Sequence, residues 1–514
     1  MANMREMVED LNKRREKIKE MGGKEKIDKQ HSRGKLTARE RLDKLLDEGT
    51  FLEIGMHGTV MMSDEFIAAD GVITGYGKIN GRWVAVASYD FTIKGGSIGP
   101  TGETKVTRLR EIALRERMPM IWLIDSAGAR IDPKGSHPDF ISSFAGTGFL
   151  FQEEVIMSGV IPLVSAMVGP GAAGTAYIPG LADFVPMVKG TSSMALGGPP
   201  LVRAVVHEDI TEEELGGSKV HNELSGVADL EVKNDEEMME TVRKYLSFFP
   251  QHNEELPSKL EYDEDPNNMK DKILDLVPDN TRQAYNMKRL IKYIVDFGDF
   301  FEIKPKWAKN LIVGFARIGG YSVGIIANNP MFMGGALDVN SADKAARFVN
   351  LCDSFNIPLV FLHDVPGFMI GSKVEKEGII RHGAKMLYAV AESTVPKFSV
   401  VVRKSYGAGY YVMNGRAYEP DLIVAWPGAE ISVMGAEGMV GIMSRKVGDM
   451  PDEVKKQLAD QIKPYINAYK SAGWAHLDDV IDPRETRDVL IKGLEFTRNK
   501  QILRPWKKHG VVPV

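Results

Sequence analysis

The sequence predicts an α/β fold that consists of two tandem copies of one domain. Strand and helix patterns alternate along the chain, and 514 residues are enough for two domains with a core each. The run GYGKING at 75–81 returns as GFARIGG at 314–320, an offset of 239 (314 − 75). Asp125 and Asp364 each end an apolar run and keep the same offset. Matched landmarks at a near-constant offset indicate an internal duplication.

The elements of the first copy follow from local patterns. Apolar residues at helical spacing among charged residues predict an amphipathic helix over residues 2–20. Thr37 and Glu40 predict a capped helix that ends near Leu46. Alternating and aromatic residues around Asn80-Gly81 predict a β-hairpin. A further helix and a buried strand are then expected at Lys105–Arg117 and Pro119–Ile124.

A glycine-rich turn follows a buried strand in each copy. Ile161–Val168 is an apolar run, and the turn Gly169–Gly174 leads from it into small residues that resemble a helix start. Phe398–Val402 and the turn after it repeat this arrangement, with Gly409 at an offset of 235 (409 − 174) from Gly174. Helix N-termini carry unpaired N–H groups that stabilise anions. The sequence therefore predicts two sites that hold oxyanions.

Composition bounds the class of protein. A net charge of −5 argues against nucleic-acid binding, and the single cysteine, Cys352, fits a reducing compartment. No apolar run approaches the roughly 18 residues that span a bilayer. The first residues carry charges of both signs and resemble no targeting peptide. We expect a cytoplasmic protein with domains at 1–256 and 273–514, joined by an acidic linker with two prolines at 257–272.

Other chemistries find little support in the residues. Gly169–Gly174 fits the dinucleotide-binding spacing, but no acidic residue follows at the required distance. Gly99–Lys105 lacks the Gly-Lys-Ser/Thr of a phosphate-binding loop, and Ser126 lies outside any hydrolase elbow. The histidines lack metal-ligand spacing, and a lone histidine is usually structural. Chemistry by backbone N–H groups remains, with close packing as the alternative reason for the glycines.

Six motifs resemble one known family over nearly the whole chain. They are GKLTARERLDKLLDEGTFLEI (34–54), DFTIKGGSIG (90–99), DSAGARI (125–131), EELGGSKVHNELSGVAD (213–229), GIIRHGAKMLYAVAESTVPK (378–397) and AEISVMGAEG (429–438). The family is that of the carboxyltransferase (β) subunits of biotin-dependent acyl-CoA carboxylases, of the propionyl-CoA and methylcrotonyl-CoA type. The C-terminal run RPWKKHGVVPV at 504–514 is also typical of it.

The resemblance implies two crotonase-like domains in a homohexamer that works with a biotin carboxylase and biotin carrier subunit. The first domain would bind acyl-CoA, with coenzyme A as part of the substrate, and the second would bind carboxybiotin carried by the partner. No metal is implied. In the family's chemistry carboxybiotin releases CO2, its ureido nitrogen takes the α-proton, and the enolate attacks CO2.

Residue roles carry over by motif. The N–H groups of Ala173 and Gly174 would hold the enolate oxygen, and those of Ala408 and Gly409 the ureido oxygen. The family usually has Gly-Gly at the first pair and Gly-Ala at the second, so both pairs depart from its pattern while keeping small residues. The substrate would contact residues of both copies: Gly128, Ala129, Arg130, Gly171, Ala172, Gly367, Phe368 and Tyr411.

Three functions remain open. The first is carboxyl transfer to propionyl-CoA or to a branched or unsaturated analogue. Tyr411 stands where propionyl-type members carry Asp, and in this the run at 407–418 resembles the methylcrotonyl type more closely. The second is the same half-reaction in the α subunit of a sodium-pumping methylmalonyl-CoA decarboxylase, or in a transcarboxylase. The third is a non-catalytic CoA-binding scaffold. The biotin-attachment motif Ala-Met-Lys-Met is absent, so biotin is expected on another chain.

Overall fold

The computed structural model describes residues 3–59, 66–130, 148–262, 270–281, 283–448 and 450–513. It divides into two compact units, Met1–Glu255 and Leu256–Val514. Of the predicted linker at 257–272, residues 263–269 lie outside the described residues.

Each unit contains one mixed sheet of eight strands in the described residues. In the first unit the order is β1-β2-β3-β4-β5-β6-β8, and β7 pairs with β5. The first three strands are antiparallel and the rest are parallel. The strands are β1 Leu52–Ile54, β2 Val72–Ile79, β3 Arg82–Tyr89, β4 Met120–Ser126, β5 Leu163–Ala172, β6 Pro186–Val188, β7 Ser193–Ala195 and β8 Leu230–Val232.

The second unit repeats this topology. Its order is β16-β14-β13-β12-β11-β10-β9, with β15 paired to β13 as β7 is to β5. The strands are β9 Phe300–Ile303, β10 Leu311–Ile318, β11 Tyr321–Asn328, β12 Leu359–Val365, β13 Lys397–Tyr406, β14 Leu422–Ala425, β15 Glu430–Ser432 and β16 Asp479–Val480. The prediction of two copies of one α/β domain is confirmed.

Helices flank the strands, and several of them begin at a residue whose side chain caps the first turn. Thr37 and Glu40 form the predicted reciprocal capping box at the start of α3. The first-unit helices are α1 Met4–Lys19, α2 Lys24–Ser32, α3 Ala38–Leu45, α4 Pro100–Arg115, α5 Phe149–Met157, α6 Gly174–Leu181, α7 Pro199–Val206, α8 Glu212–Gly216 and α9 Asp235–Ser247. Helix α4 begins five residues before the predicted Lys105, because Gly99 and Pro100 provide an N-cap and a first helical residue with a fixed φ.

The second-unit helices include counterparts of several of these. They are α10 Met287–Ile294, α11 Val339–Ser354, α12 Ser372–Lys376, α13 Ile379–Glu392, α14 Ala408–Val412, α15 Ala436–Val447, α16 Asp452–Ile466, α17 Ala468–Gly473 and α18 Thr486–Phe496. No helix in the described ranges is long and apolar enough to cross a membrane.

A buried lysine marks the duplication inside the core. Lys105 Nζ donates to the carbonyl oxygens of Ala69 and Val72 at 2.8 and 2.6 Å. Lys344, at an offset of 239, donates to four carbonyls, among them those of Ala308 and Leu311. These two carbonyls lie at the same offset from Ala69 and Val72. Each lysine thus fixes the chain where it enters the sheet hairpin of its unit.

Candidate active site

The first glycine-rich turn lies at the end of β5. The sequence predicted that the strand ends at Val168, but β5 continues to Ala172. The reason is β7, which pairs Pro170, Gly171 and Ala172 with residues 193–195. The turn itself is at Ala173, with φ 52° and ψ −118°, a left-handed conformation that is uncommon for a residue with a Cβ.

Helix α6 begins immediately after this residue. The N–H of Ala173 donates to the Ala195 carbonyl at 3.1 Å, whereas the N–H of Gly174 donates to no acceptor in the described part of the chain. The Thr175 hydroxyl closes the turn, because it accepts from the Ala172 N–H and donates to the Ala172 carbonyl, both at 2.9 Å. The turn therefore presents the Gly174 N–H at the start of a helix, as anion sites require.

The loop after β4 lies against this turn. Gly128 has φ 90°, and a Cβ there would lie 2.7 Å from the Ala172 carbonyl oxygen, so only glycine permits this approach. The N–H of the next residue, Ala129, has no acceptor among the described residues. The substrate-binding prediction for Gly128, Ala129, Gly171 and Ala172 therefore concerns residues that the fold brings together.

Arg130, the third predicted residue of this loop, binds other residues of the same unit. Its guanidinium donates to the Ser97 hydroxyl at 3.1 Å and the Ser97 carbonyl at 2.9 Å, and it forms an ion pair with Asp70. The Asp70 carboxylate also accepts from the Gly102 N–H in the first turn of α4. Arg130 thus fixes the loop that carries Ala129.

The second turn repeats the first with different side chains. Gly407 has φ 55° and ψ −139°, its N–H donates to the Ser432 carbonyl at 2.9 Å, and α14 begins at Ala408. By conformation Gly174 therefore corresponds to Ala408, at an offset of 234 (408 − 174), and not to Gly409 as the sequence match suggested. The sequence match aligned glycines, whereas the fold aligns the left-handed residue.

Both predicted donors of the second turn are free in the described residues. Neither the Ala408 nor the Gly409 N–H donates to an acceptor there. A Cβ at Gly409 would lie 2.7 Å from Val365 Cγ2 and 3.2 Å from Gly367 Cα, so this position cannot carry a side chain without movement. Gly367, with φ 124°, and half-buried Phe368 form the loop beside this turn, as Gly128 and Ala129 do in the first unit.

An aromatic group lines the exposed side of α14. Tyr411 is 48% exposed, and its ring stacks on Tyr418 at a centroid distance of 6.4 Å. Tyr410 contacts it edge-on at 5.9 Å, and the Tyr410 hydroxyl accepts from the Arg416 N–H. Tyr411 therefore offers an uncharged ring edge beside the second turn.

Three histidines and Ser126 form hydrogen bonds within the fold. His363 is fully buried beneath the second turn, with Nδ1 2.9 Å from the Ser405 hydroxyl, and burial lowers its pKa to about 3. His221 and His382 are hydrogen-bonded to Met194 and Asp343. The Ser126 hydroxyl accepts from the Gly128 N–H at 3.1 Å. Within the described ranges, no three metal-ligating side chains come together.

The sequence did not predict Thr175 or the surroundings of Asp125 as parts of the site. Threonine side chains often form hydrogen bonds with backbone groups three or four residues earlier, so Thr175 carried a local indication. Asp125 was only a landmark of the duplication, and the residues around it come from distant parts of the chain.

Comparison with known proteins matches the chain to one family over most of its length. The family model described as "Carboxyl transferase domain" matches residues 29–512. The propionyl-CoA carboxylase beta chain of Roseobacter denitrificans is 43% identical, over 99% of this chain and 100% of that protein. The methylmalonyl-CoA decarboxylase subunit alpha of Veillonella parvula is 41% identical, over the full length of both.

A solved structure has the same fold. The transcarboxylase 12S structure, titled as a hexamer assembly with methylmalonyl-coenzyme A and methylmalonic acid bound, aligns with a TM-score of 0.94 and 43% identity. The alignment covers 100% of this chain and 99% of that one. With the repeated sheet, this confirms the predicted α/β fold of two tandem crotonase-like domains.

Proposed function

The chain belongs to the carboxyl transferase domain family, and from this premise we propose that it moves a carboxyl group between biotin and propionyl-CoA or a close analogue. It is a biotin-dependent acyl-CoA carboxyltransferase. The observation that carries the assignment is the pair of matched turns, in which a left-handed residue ends a strand and a helix begins with an unpaired N–H. Two oxyanions form in this chemistry, and the described part of the chain contains two such turns.

We assign the first turn to the acyl-CoA thioester. Enolate formation places negative charge on the thioester oxygen, and a preorganised N–H that stabilises it contributes about 3 kcal/mol. Gly174 is the principal donor, since its N–H is unpaired. Ala173 is the predicted second donor and would share its N–H with the Ala195 carbonyl. Gly128, Ala129, Gly171 and Ala172 then form the wall around the thioester, while Arg130 holds this wall through Asp70 and Ser97.

We assign the second turn to biotin. The unpaired N–H groups of Ala408 and Gly409 fit a ureido oxygen, which accepts two hydrogen bonds. Bound carboxybiotin supplies the carboxyl group and, once CO2 has left, a basic nitrogen. The residues of this chain bind and orient both substrates and stabilise charge. His363 is not assigned as the base, because it is fully buried and its pKa of about 3 means that it binds a proton only weakly.

The substrate pair and the partner follow from the relatives. Their names refer to propionyl-CoA and methylmalonyl-CoA, which are the two sides of one half-reaction. We therefore propose propionyl-CoA and methylmalonyl-CoA as the substrate pair of this chain, in either direction. A separate biotin-carrying subunit sets the direction: a biotin carboxylase partner makes it a carboxylase, and a membrane partner a decarboxylase. A homohexamer, as in the 12S structure, and a cytoplasmic location complete the proposal.

An assay with free biotin tests the function. Purified protein is incubated with methylmalonyl-CoA and free biotin, and propionyl-CoA is measured by chromatography, with omission of biotin as the control. We expect biotin-dependent formation of propionyl-CoA. A folded protein that binds methylmalonyl-CoA but forms none would support the scaffold alternative instead. A streptavidin blot of the native complex should show biotin on a co-purifying chain and none on this one.

A further inference from the structure

A buried cluster of charges surrounds Asp125 at the end of β4. We call Asp125, Arg41 and Lys35 the first clamp. Arg41 Nη1 and Lys35 Nζ donate to the Asp125 carboxylate at 2.9 and 2.7 Å, and all three side chains are at most 5% exposed. Arg41 also donates to Asp235 on α9 at 2.8 Å. The clamp therefore joins helix α3, the chain before it and α9 to the strand end beside the first turn.

The first clamp contacts the strand that leads into the turn. Arg41 Nη2 donates to the carbonyl of Val168 in β5 at 3.1 Å. A Cβ at Gly169 would lie 1.9 Å from the Asp125 carboxylate oxygen and 2.8 Å from Lys35 Nζ. Strand β5 thus contacts the clamp at Gly169, five residues before Gly174. The position of the clamp therefore fixes the position of the turn at the end of β5.

A second clamp has the same position in the second unit. Asp364 ends its apolar run at an offset of 239 from Asp125, and Arg403 donates to it through Nε and Nη2 at 3.1 and 2.9 Å. Arg403 Nη1 also donates to the Gln283 carbonyl at 2.9 Å, and Lys404 Nζ lies 3.8 Å from the carboxylate. Arg403 belongs to β13 itself, four residues before Gly407.

Each clamp has an aspartate at the matching position, but the arginine that pairs with it comes from a different element in each unit. Arg41 comes from helix α3, whereas Arg403 comes from the strand that precedes the turn. Buried ion pairs are often no more stabilising than apolar residues of the same volume, so stability alone does not explain why both copies keep one here. Resting on the proposed function, we propose that Asp125–Arg41 and Asp364–Arg403 are positioning pairs, which hold the two turns so that their N–H groups meet the developing oxyanions.

A conservative substitution tests each pair. Lysine in place of Arg41 or Arg403 keeps the charge but loses the fixed fork of donors that reaches carboxylate and backbone together. The matched control is Arg487→Lys. Arg487 forms a similarly buried pair with Asp296 and donates to the Ile294 carbonyl, and neither residue of this pair belongs to the first or the second glycine-rich turn. Transfer from methylmalonyl-CoA to free biotin gives kcat and both KM values, and thermal unfolding gives Tm.

We expect kcat to fall at least 10-fold in Arg41→Lys and Arg403→Lys, with both KM values within threefold of wild type. Arg487→Lys should lose a similar number of degrees in Tm and keep kcat within twofold. Equal kcat in all three variants and wild type would overturn the positioning role and leave the proposed function intact. No transfer by wild type would overturn both. If Arg41→Lys does not fold, Lys35→Gln, which keeps the Arg41–Asp125 pair, should still lower kcat about threefold, and an unchanged kcat would overturn the first clamp.

Discussion

Two substitutions at Gly174 separate the role of its N–H from the role of its small size. Gly174→Pro removes the N–H, and because Gly174 is the first residue of α6, proline occupies a position where helices accept it. Gly174→Ala keeps the N–H and adds a methyl group. The nearest atom to that methyl group would be Phe151 Cζ at 3.7 Å, an ordinary van der Waals contact. The helix therefore accepts both variants, and only one of them lacks the donor. Proline also restricts the residue before it, and the ψ of −118° at Ala173 lies outside the extended range, so the folding of Gly174→Pro is measured together with its rate.

The expected magnitudes follow from the contacts. Loss of one oxyanion donor lowers kcat by about 100- to 1000-fold, or roughly 2.7–4 kcal/mol. The alanine variant should lose less than about tenfold, since it retains the donor and creates no clash. Both variants should keep a wild-type KM for biotin, because the second turn is unchanged.

The measurement is the steady-state rate of propionyl-CoA formation from methylmalonyl-CoA and free biotin, with Tm and circular dichroism as tests of folding. If folded Gly174→Pro retained kcat within fivefold of wild type, the Gly174 N–H would not stabilise the enolate. If Gly174→Ala lost as much as Gly174→Pro, space at this position would matter instead of the donor.

Three further predictions concern other residues. Ala408→Pro, which removes the corresponding N–H of the second turn, should lower kcat by about 100-fold or more, while Ala408→Gly should stay near wild type, as rates with free biotin will show. The resemblance implies that position 411 lies beside the acyl pocket, although it follows the second turn. Tyr411→Asp adds a charge there and should change the relative kcat/KM for acetyl-, propionyl- and methylcrotonyl-CoA by a factor that corresponds to about 1–3 kcal/mol; an unchanged order of the three would mean that Tyr411 does not select the acyl group. Burial raises the pKa of the Glu154 carboxyl well above its usual range, and neither of its oxygens has a hydrogen-bond partner in the described structure. The folded protein therefore holds this proton at pH values where the unfolded chain releases it, so stability falls as pH rises above about 4.5. Glu154→Gln should then raise Tm at pH 8 by about 2–4 °C and leave it unchanged near pH 4.5, and an equal Tm at pH 8 would contradict the assignment.

Local patterns were enough to predict the duplication and most elements. The capping box at Thr37 and the Asn80-Gly81 hairpin depend on residues within a few positions of one another, and both occur as expected. The predicted end of β5 was wrong, because the last residues of this strand pair with β7, which lies about twenty positions later in the chain. A glycine-rich sequence indicates a turn only when no other strand takes up its backbone groups.

The conformation of the turns could not be derived from residue type. Ala173 adopts a left-handed conformation that residue type alone would assign to a glycine. Hydrogen bonds from the Ala173 N–H to Ala195 and from the Ala176 N–H to the Ala173 carbonyl hold it in this conformation. The clamps were equally hidden, since Asp125 meets Arg41 from 84 positions away and the Leu36 N–H meets Asp235 from 199. Such contacts depend on packing of the whole unit, which local spacing does not encode.

Matched residues of the two units lie at a nearly constant distance along the chain, which has a consequence for how the two binding sites could diverge. Asp183 and Asp421 make the same pair of backbone contacts, to Leu163 and Lys397, and lie 238 positions apart (421 − 183). Between these fixed points the lengths differ: Asp125 to Ala173 takes 48 positions against 43 from Asp364 to Gly407, and Ala173 to Asp183 takes 10 against 14 from Gly407 to Asp421. The two differences have opposite signs, and they leave a net difference of one position between Asp125–Asp183 and Asp364–Asp421. An engineer could therefore exchange these segments between relatives to retarget one pocket while the frame and the other pocket stay as they are.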